Sequence, residues 1–253
     1  MPLYASVRIC LLFALFQAVP ASAAEIELWT ARALATVLDE IGPEFERATG
    51  HTIKVSIDLP APFVKRARAG ESFDVMISVA SPIDELAAEG LFLHGTRADI
   101  ARSGIGVRVR AGAHKPDISS TAAFKQALLE AKSIAYLRIG SGAYMADLVE
   151  RLDIAAAIAP KVTRPQTDIV SEMVARGEVE LGIVVITQIL TTPGVELVGP
   201  LPQEVQSYVT FAGAVAAKSK APEAGKQLLQ FLATPKALAV MRSQGMEPVP
   251  TKS

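Results

Sequence analysis

Residues 25–50, EIELWTARALATVLDEIGPEFERATG, decide the fold. They read as a short strand over Glu25–Trp29, a tight turn, an amphipathic helix and a glycine stop. In the helix Leu34, Val37, Leu38, Ile41 and Phe45 recur at three- and four-residue spacing, which places them on one buried stripe. Gly42-Pro43 predicts a kink or a restart, because proline removes a backbone donor. A strand that turns at once into a helix is the opening of an α/β domain.

Upstream, residues 5–24, ASVRICLLFALFQAVPASAA, hold one basic residue (Arg8), an apolar run from Ile9 to Val19 and small residues at the end. That is the layout of a cleavable export signal, with an apolar core too short for a stable membrane span. The expected mature chain starts after Ala24 and is exported. The only cysteine, Cys10, lies inside this signal, so the mature chain has no disulfide. Half of the residues are apolar and a fifth are charged, as in an ordinary globular protein. The formal charge of −1 becomes one unit more negative when Arg8 leaves, which argues against nucleic acid and polybasic membrane contacts.

Downstream, strand and helix signals alternate, which favours a parallel or mixed sheet with helices on both faces. Thr52–Ile57 and Phe73–Ser78 read as strands, Phe63–Ala69 as a short basic helix, and Ser81-Pro82 as the opening of a helix closed by Gly90. A second unit starts near Ile105. It has a strand at 104–110, a helix capped by Ser119-Ser120, a strand at Ile134–Leu137, a glycine-flanked turn at 140–142 and a helix over Ala143–Leu152. Thr167-Asp168 opens a helix to Arg176, Glu180–Val185 is a strand, and Val205–Ala217 is a long strand-like run before helices at Glu223–Leu232 and Pro235–Ser243. Segments near 101–107 and 204–212 carry no turn signals and are expected to cross between two lobes.

Four stretches, WTARALATVLDEIGPEFERATG, RARAGESFDVMISVASPIDELAAEG, EVELGIVVIT and LLQFLATPKALAVMRSQGMEP, span nearly the whole mature chain in order. In them the chain resembles periplasmic solute-binding proteins of ABC importers, and most of all the molybdate/tungstate-binding subfamily. The resemblance implies an α/β fold of two Rossmann-like lobes joined by two hinge strands, with a ligand cleft between them. The expected division is a signal peptide at 1–24, one lobe from 25–103 with 208–253, and the other from 104–207. It also implies capture of a small anionic ligand, delivery to an inner-membrane ABC permease, a monomeric state, and no cofactor.

Where that subfamily places hydroxyls, this chain departs. Its first turn reads Ala31-Arg32-Ala33-Leu34 with alanine in place of serine, its second loop reads Asp58-Leu59-Pro60-Ala61-Pro62, and Val185 follows Gly182-Ile183-Val184 in place of tyrosine. Arg32 is the first candidate ligand residue. A cation at a helix start is unfavourable without an anion nearby, and its planar fork suits carboxylate or oxyanion oxygens. Its bland alternative is an exposed side chain paired with Glu27 or Asp58. Thr30 and Ala31 add a hydroxyl and backbone at the same turn, and Ala61 stands on the second loop. Ser141 and Gly142 open a helix with free donors, and Arg138 precedes them at a strand end. An ordinary N-cap is the alternative there. Thr187 and Gln188 follow the late strand and reach the cleft or cap the surface. Lys65, Arg66 and Arg68 read as a solvated basic face, and Trp29 as core.

The three histidines, His51, His94 and His114, are scattered, and no HExxH, Gly-x-Ser-x-Gly or Ser-x-x-Lys pattern is present in the mature chain. An enzyme reading therefore has no positive motif. The changed hydroxyls and the added arginine leave two ligand readings, a molybdate-like oxyanion or a small organic carboxylate. A sensor for a membrane partner would need the same closing cleft.

Overall fold

The computed structural model describes residues 23–138, 140–166 and 169–250. The export-signal reading falls on residues 1–22, and Thr167-Asp168 as a helix start also lies outside the described residues. The chain runs β1 (Glu25–Thr30), α1 (Arg32–Thr49), β2 (Thr52–Ile57), α2 (Pro60–Arg68), β3 (Val75–Val79) and α3 (Ala80–Ala88). A long strand, β4 (Ala98–Arg110), leads to α4 (Thr121–Glu130), β5 (Ile134–Tyr136), α5 (Ser141–Arg151), α6 (Ala155–Ile158), β6 (Val162–Thr163) and α7 (Val170–Ala175). Then come β7 (Leu181–Val185), α8 (Ile186–Leu190), β8 (Val195–Pro200), β9 (Tyr208–Val215), α9 (Pro222–Leu232) and α10 (Pro235–Ser243).

The strand order is β2-β1-β3-β9-β4-β7-β5-β6, with β8 paired to β4 outside that path. β4 belongs to both halves. Residues 98–104 pair with β9, and from Ile105 onward the same strand pairs with β7 and β8. The partner changes in one step, between Gly104 opposite Tyr208 and Ile105 opposite Val185. Gln206 fills this junction. Its Oε1 accepts from the N–H groups of Ile105 and Ser207 at 2.9 Å, and its Nε2 donates to Ile105 O at 3.0 Å and Leu201 O at 3.3 Å. The C-terminal segment straps the crossover: Arg102 and Glu247 exchange backbone hydrogen bonds, and Ser103 Oγ donates to Gly245 O at 2.8 Å.

Each half buries its own core. In the first, Leu34, Val37, Leu38, Ile41 and Phe45 pack on one sheet face with Leu228, Leu232 and Met241, while Trp29, Phe63, Met76, Ile83 and Phe92 pack on the other. Trp29 is fully buried, stacked on Phe63 at 5.1 Å and Phe73 at 4.3 Å, as a core tryptophan should be. In the second half Ile105, Val107, Phe124, Leu148 and Ile183 form one core, and Val170, Val174, Val184 and Ile189 another on the opposite face.

Differences from the sequence reading have local reasons. α1 is continuous through Pro43: the acceptor that loses its donor, Asp39 O, belongs to the exposed face where water replaces the bond. β8 was not anticipated, because its burial does not alternate and it is held by pairing with the outer half of β4. α8 is a short helix where only a strand end was read, and the long C-terminal run begins as a 3-10 turn at Gln203–Val205 before β9.

Candidate functional site

The strand registers fix which edges face each other. β3 ends at Val79 opposite Phe211, near the start of β9 and hence near the crossover. β1 and β2 run parallel to β3, so all three point their C-terminal ends the same way. In the second half Val185, the last residue of β7, lies opposite Ile105 at the crossover, and β5 and β6 run parallel to β7. The C-terminal ends of both parallel sets therefore face the hinge and one another. The helices that follow them, α1, α2 and α3 on one side and α5, α7 and α8 on the other, start at these edges. Such strand-end crevices are where open α/β sheets bind ligands.

All of these helix starts but that of α7, which has Glu172 in its first turn, are left open. α1, α2, α3 and α5 have neither a side-chain cap nor an acidic residue in the first turn. Helices elsewhere are treated differently: Ser120 caps α4 and Thr234 caps α10 through their hydroxyls, and Glu223 lies in the first turn of α9. An uncapped N-terminus presents unpaired N–H groups and a partial positive charge, which suits an anion.

On the first edge, Thr30 is the fully buried last residue of β1, and its Oγ1 donates to Ala31 O at 3.4 Å. Ala31 is the N-cap of α1; its N–H donates to Ile77 O at 3.0 Å, and its carbonyl accepts from Leu34 N–H. The donors left for a ligand at this turn are thus those of the next residues. Arg32 occupies the first helical position, is exposed, and pairs with neither Glu27 nor Asp58. Ala61 is exposed in the first turn of α2 and lines, with Pro60, Val64, Lys65 and Pro82, an open depression between α2 and α3.

On the second edge, Arg138 is exposed past β5. Its N–H donates to Pro165 O at 3.1 Å and its Nε to Arg164 O at 2.9 Å, so one arginine laces the β5–α5 turn to the chain after β6. Ser141 and Gly142 are buried at the start of α5 behind Gly140, whose φ of 59° and ψ of −126° suit only glycine. Thr187 is buried in α8, and its Oγ1 has no hydrogen-bond partner among the described residues.

The two arginines of the basic cluster on α2 are occupied structurally. Arg66 lies 4.2 Å over Trp29 and binds Glu71 through two hydrogen bonds, and Arg68 binds Glu85 and Glu89. Three features were not visible in sequence, two at these edges and one, Arg108, farther from the crossover opposite Gly182. Ser78, next to the end of β3, is 1% exposed and its Oγ has no partner. Arg108 is fully buried, its Nη1 on Ser171 Oγ, in space that Gly182 leaves: a Cβ there would lie 2.7 Å from Arg108 Nε. Strand alternation at 104–110 placed Arg108 on the face opposite Val107, and helix α7 covers that face. Arg164 follows β6, exposed, with its guanidinium 5.3 Å from the Tyr136 ring. Burial pushes the Tyr136 phenol above its ordinary pKa, and the Arg164 charge offsets part of that rise.

Residues 26–247 match the family described as bacterial extracellular solute-binding protein. The chain belongs to this solute-binding family. A Pseudomonas protein named aconitate isomerase is 35% identical over 219 residues, 84% of each chain. The molybdate-binding protein ModA of Rhodobacter capsulatus is 28% identical over 231 residues, 90% of each chain. The substrate-binding domain of a putative molybdenum ABC transporter from Clostridium difficile superposes with a TM-score of 0.76 at 17% identity, covering 90% of this chain and all of that one. This solute-binding protein therefore has the two-lobed fold of the type-2 periplasmic class, as the resemblance implied. No helix among the described residues is long and apolar enough to cross a membrane.

Proposed function

We propose that this solute-binding protein captures a small organic carboxylate in the cleft between its lobes and delivers it to an ABC permease. The lobes are residues 25–103 with 208–253, and residues 104–207. Arg32 carries the reading: it is exposed, at the first position of an uncapped helix, on the edge that faces the other lobe. A guanidinium there adds to the helix's own positive end, and only an anion relieves both. Around it Thr30, Ala31 and Ala61 form the wall of the first lobe, while Arg138, Ser141, Gly142 and Thr187 supply donors from the second. The protein acts in the periplasm as a monomer, without a cofactor. The aconitate isomerase of Pseudomonas makes aconitate the first carboxylate to try.

A thermal-shift screen of the purified protein tests the reading. One ligand set holds molybdate, tungstate, sulfate and phosphate; the other holds mono-, di- and tricarboxylates. A ligand at about 100 times its Kd adds ~2.7 kcal/mol, or roughly 5–11 °C for a chain of this size. A shift with carboxylates that Arg32→Gln abolishes supports the proposal. A shift with molybdate alone overturns it and restores the oxyanion reading.

The same relative supports a second reading, in which the cleft converts its ligand. Moving the double bond of aconitate needs a group that takes a proton from one carbon and returns one to another. Proton NMR of aconitate incubated with the protein decides between them: broadened signals of a single isomer mean binding without conversion, and a second isomer means catalysis.

A further inference from the structure

Each of the two facing edges carries exposed arginine, and this bears on the ligand. Arg66, Arg68, Arg97, Arg102 and Arg176 each hold a carboxylate of the protein. Among the described residues, no carboxylate lies within ion-pair reach of Arg32 on the first edge, or of Arg138 and Arg164 on the second. All three are exposed. Arg138 is also held in place: with its Nε on Arg164 O, its two terminal nitrogens are the part left to meet a ligand. The two arginines stand past the ends of neighbouring parallel strands, β5 and β6, so they share one lip. Each edge also has one buried hydroxyl without a partner, Ser78 in the first lobe and Thr187 in the second.

Closing such a cleft brings guanidinium groups on opposite lobes towards each other and strips water from both. Charges taken out of water without partners oppose closure. A ligand shifts the lobes to the closed state only through interactions that the closed state makes and the open state lacks. A monocarboxylate bound at Arg32 leaves the second lip uncompensated. A ligand with a carboxylate at each end compensates both, and it joins the lobes through charge-assisted hydrogen bonds.

Resting on the carboxylate reading, we infer that the ligand is a di- or tricarboxylate held at both ends. Arg32 with the start of α1 receives one carboxylate, and Arg138 with Arg164 and the start of α5 receives another. Arg164, unmarked by any motif, is on this account a specificity-determining residue.

Isothermal titration with butyrate, glutarate and propane-1,2,3-tricarboxylate, one to three carboxylates on short chains, tests this. Molybdate and sulfate serve as the compact dianions. The variants are Arg32→Gln and the double substitution Arg138→Gln with Arg164→Gln, each checked for an unchanged melting temperature without ligand. The expected result is that affinity rises about tenfold or more from butyrate to the best polycarboxylate, the worth of one charge-assisted hydrogen bond. The double variant removes that gain, so that butyrate and the polycarboxylates bind it with similar affinity. A flat series, or a polycarboxylate preference that survives the double variant, overturns the inference. If Arg32→Gln still abolishes carboxylate binding in that case, the carboxylate reading stands without it. Binding of molybdate or sulfate alone removes both.

Discussion

Gly142 sits against the end of β5 so closely that a Cβ on it would lie 1.8 Å from the carbonyl oxygen of Leu137. The contact involves backbone, so no side chain can move aside. It seats α5 directly on the strand end and sets the direction of its first N–H groups. Gly142→Ala is expected to cost about 3 kcal/mol or more, as overpacking against a rigid neighbour does, and to lower the melting temperature by roughly 6–12 °C. Calorimetry checks this, and a melting temperature within a degree of wild type would contradict the contact.

Thr187 and Ser78 bury hydroxyls that no group among the described residues satisfies. Replacing them with the isosteric or smaller apolar residue removes an unpaired polar group, so Thr187→Val and Ser78→Ala are expected to leave the unliganded protein as stable as before, or up to about 1 kcal/mol more stable. Ligand affinity is expected to fall about tenfold in each. Paired denaturation and titration measurements separate the two effects. A loss of stability with unchanged affinity would mean that these hydroxyls serve the fold.

Gln206 and Ile105 are joined by two hydrogen bonds in opposite directions, which makes the carboxamide a surrogate strand residue at the crossover. Gln206→Leu removes these bonds and those to Leu201 and Ser207. It is expected to destabilise the protein by about 2 kcal/mol. Hydrogen exchange should quicken at Ile105 and Ser207 ahead of the core strands if the loss is confined to the crossover.

Asp74 contributes to the acid sensitivity of the fold. Burial alone would push its carboxyl up, but hydrogen bonds from the Glu27 N–H, Ser219 Oγ and the N–H groups of Lys220 and Ala221 outweigh that and hold it below the ordinary aspartate range. A depressed pKa means stability that is fully present above the unfolded value of about 4 and is lost as pH falls through the folded value. Urea titrations from pH 7 downward are expected to show stability falling below about pH 4. Asp74→Asn should lose about 3 kcal/mol at pH 7 and show a shallower fall in acid.

The sequence settled what depends on neighbours along the chain. Strand-turn-helix units, the apolar stripe of α1 and the position of Trp29 in the core follow from periodicity and composition, and the structure has all three. The family resemblance also marks, in sequence alone, where expected hydroxyls are missing: at Ala33, along the loop 58–62 and at Val185. Periodicity says nothing about which strand a strand pairs with. That β4 changes partners between Gly104 and Ile105, and so turns two sets of strand ends towards each other, rests on contacts up to about a hundred residues apart. β8 exists only because the outer half of β4 offers it an edge. Arg164 reads in sequence as one more surface cation. Parallel pairing of β5 with β6 places it beside Arg138 on one lip, because register alone decides which distant strand ends become neighbours.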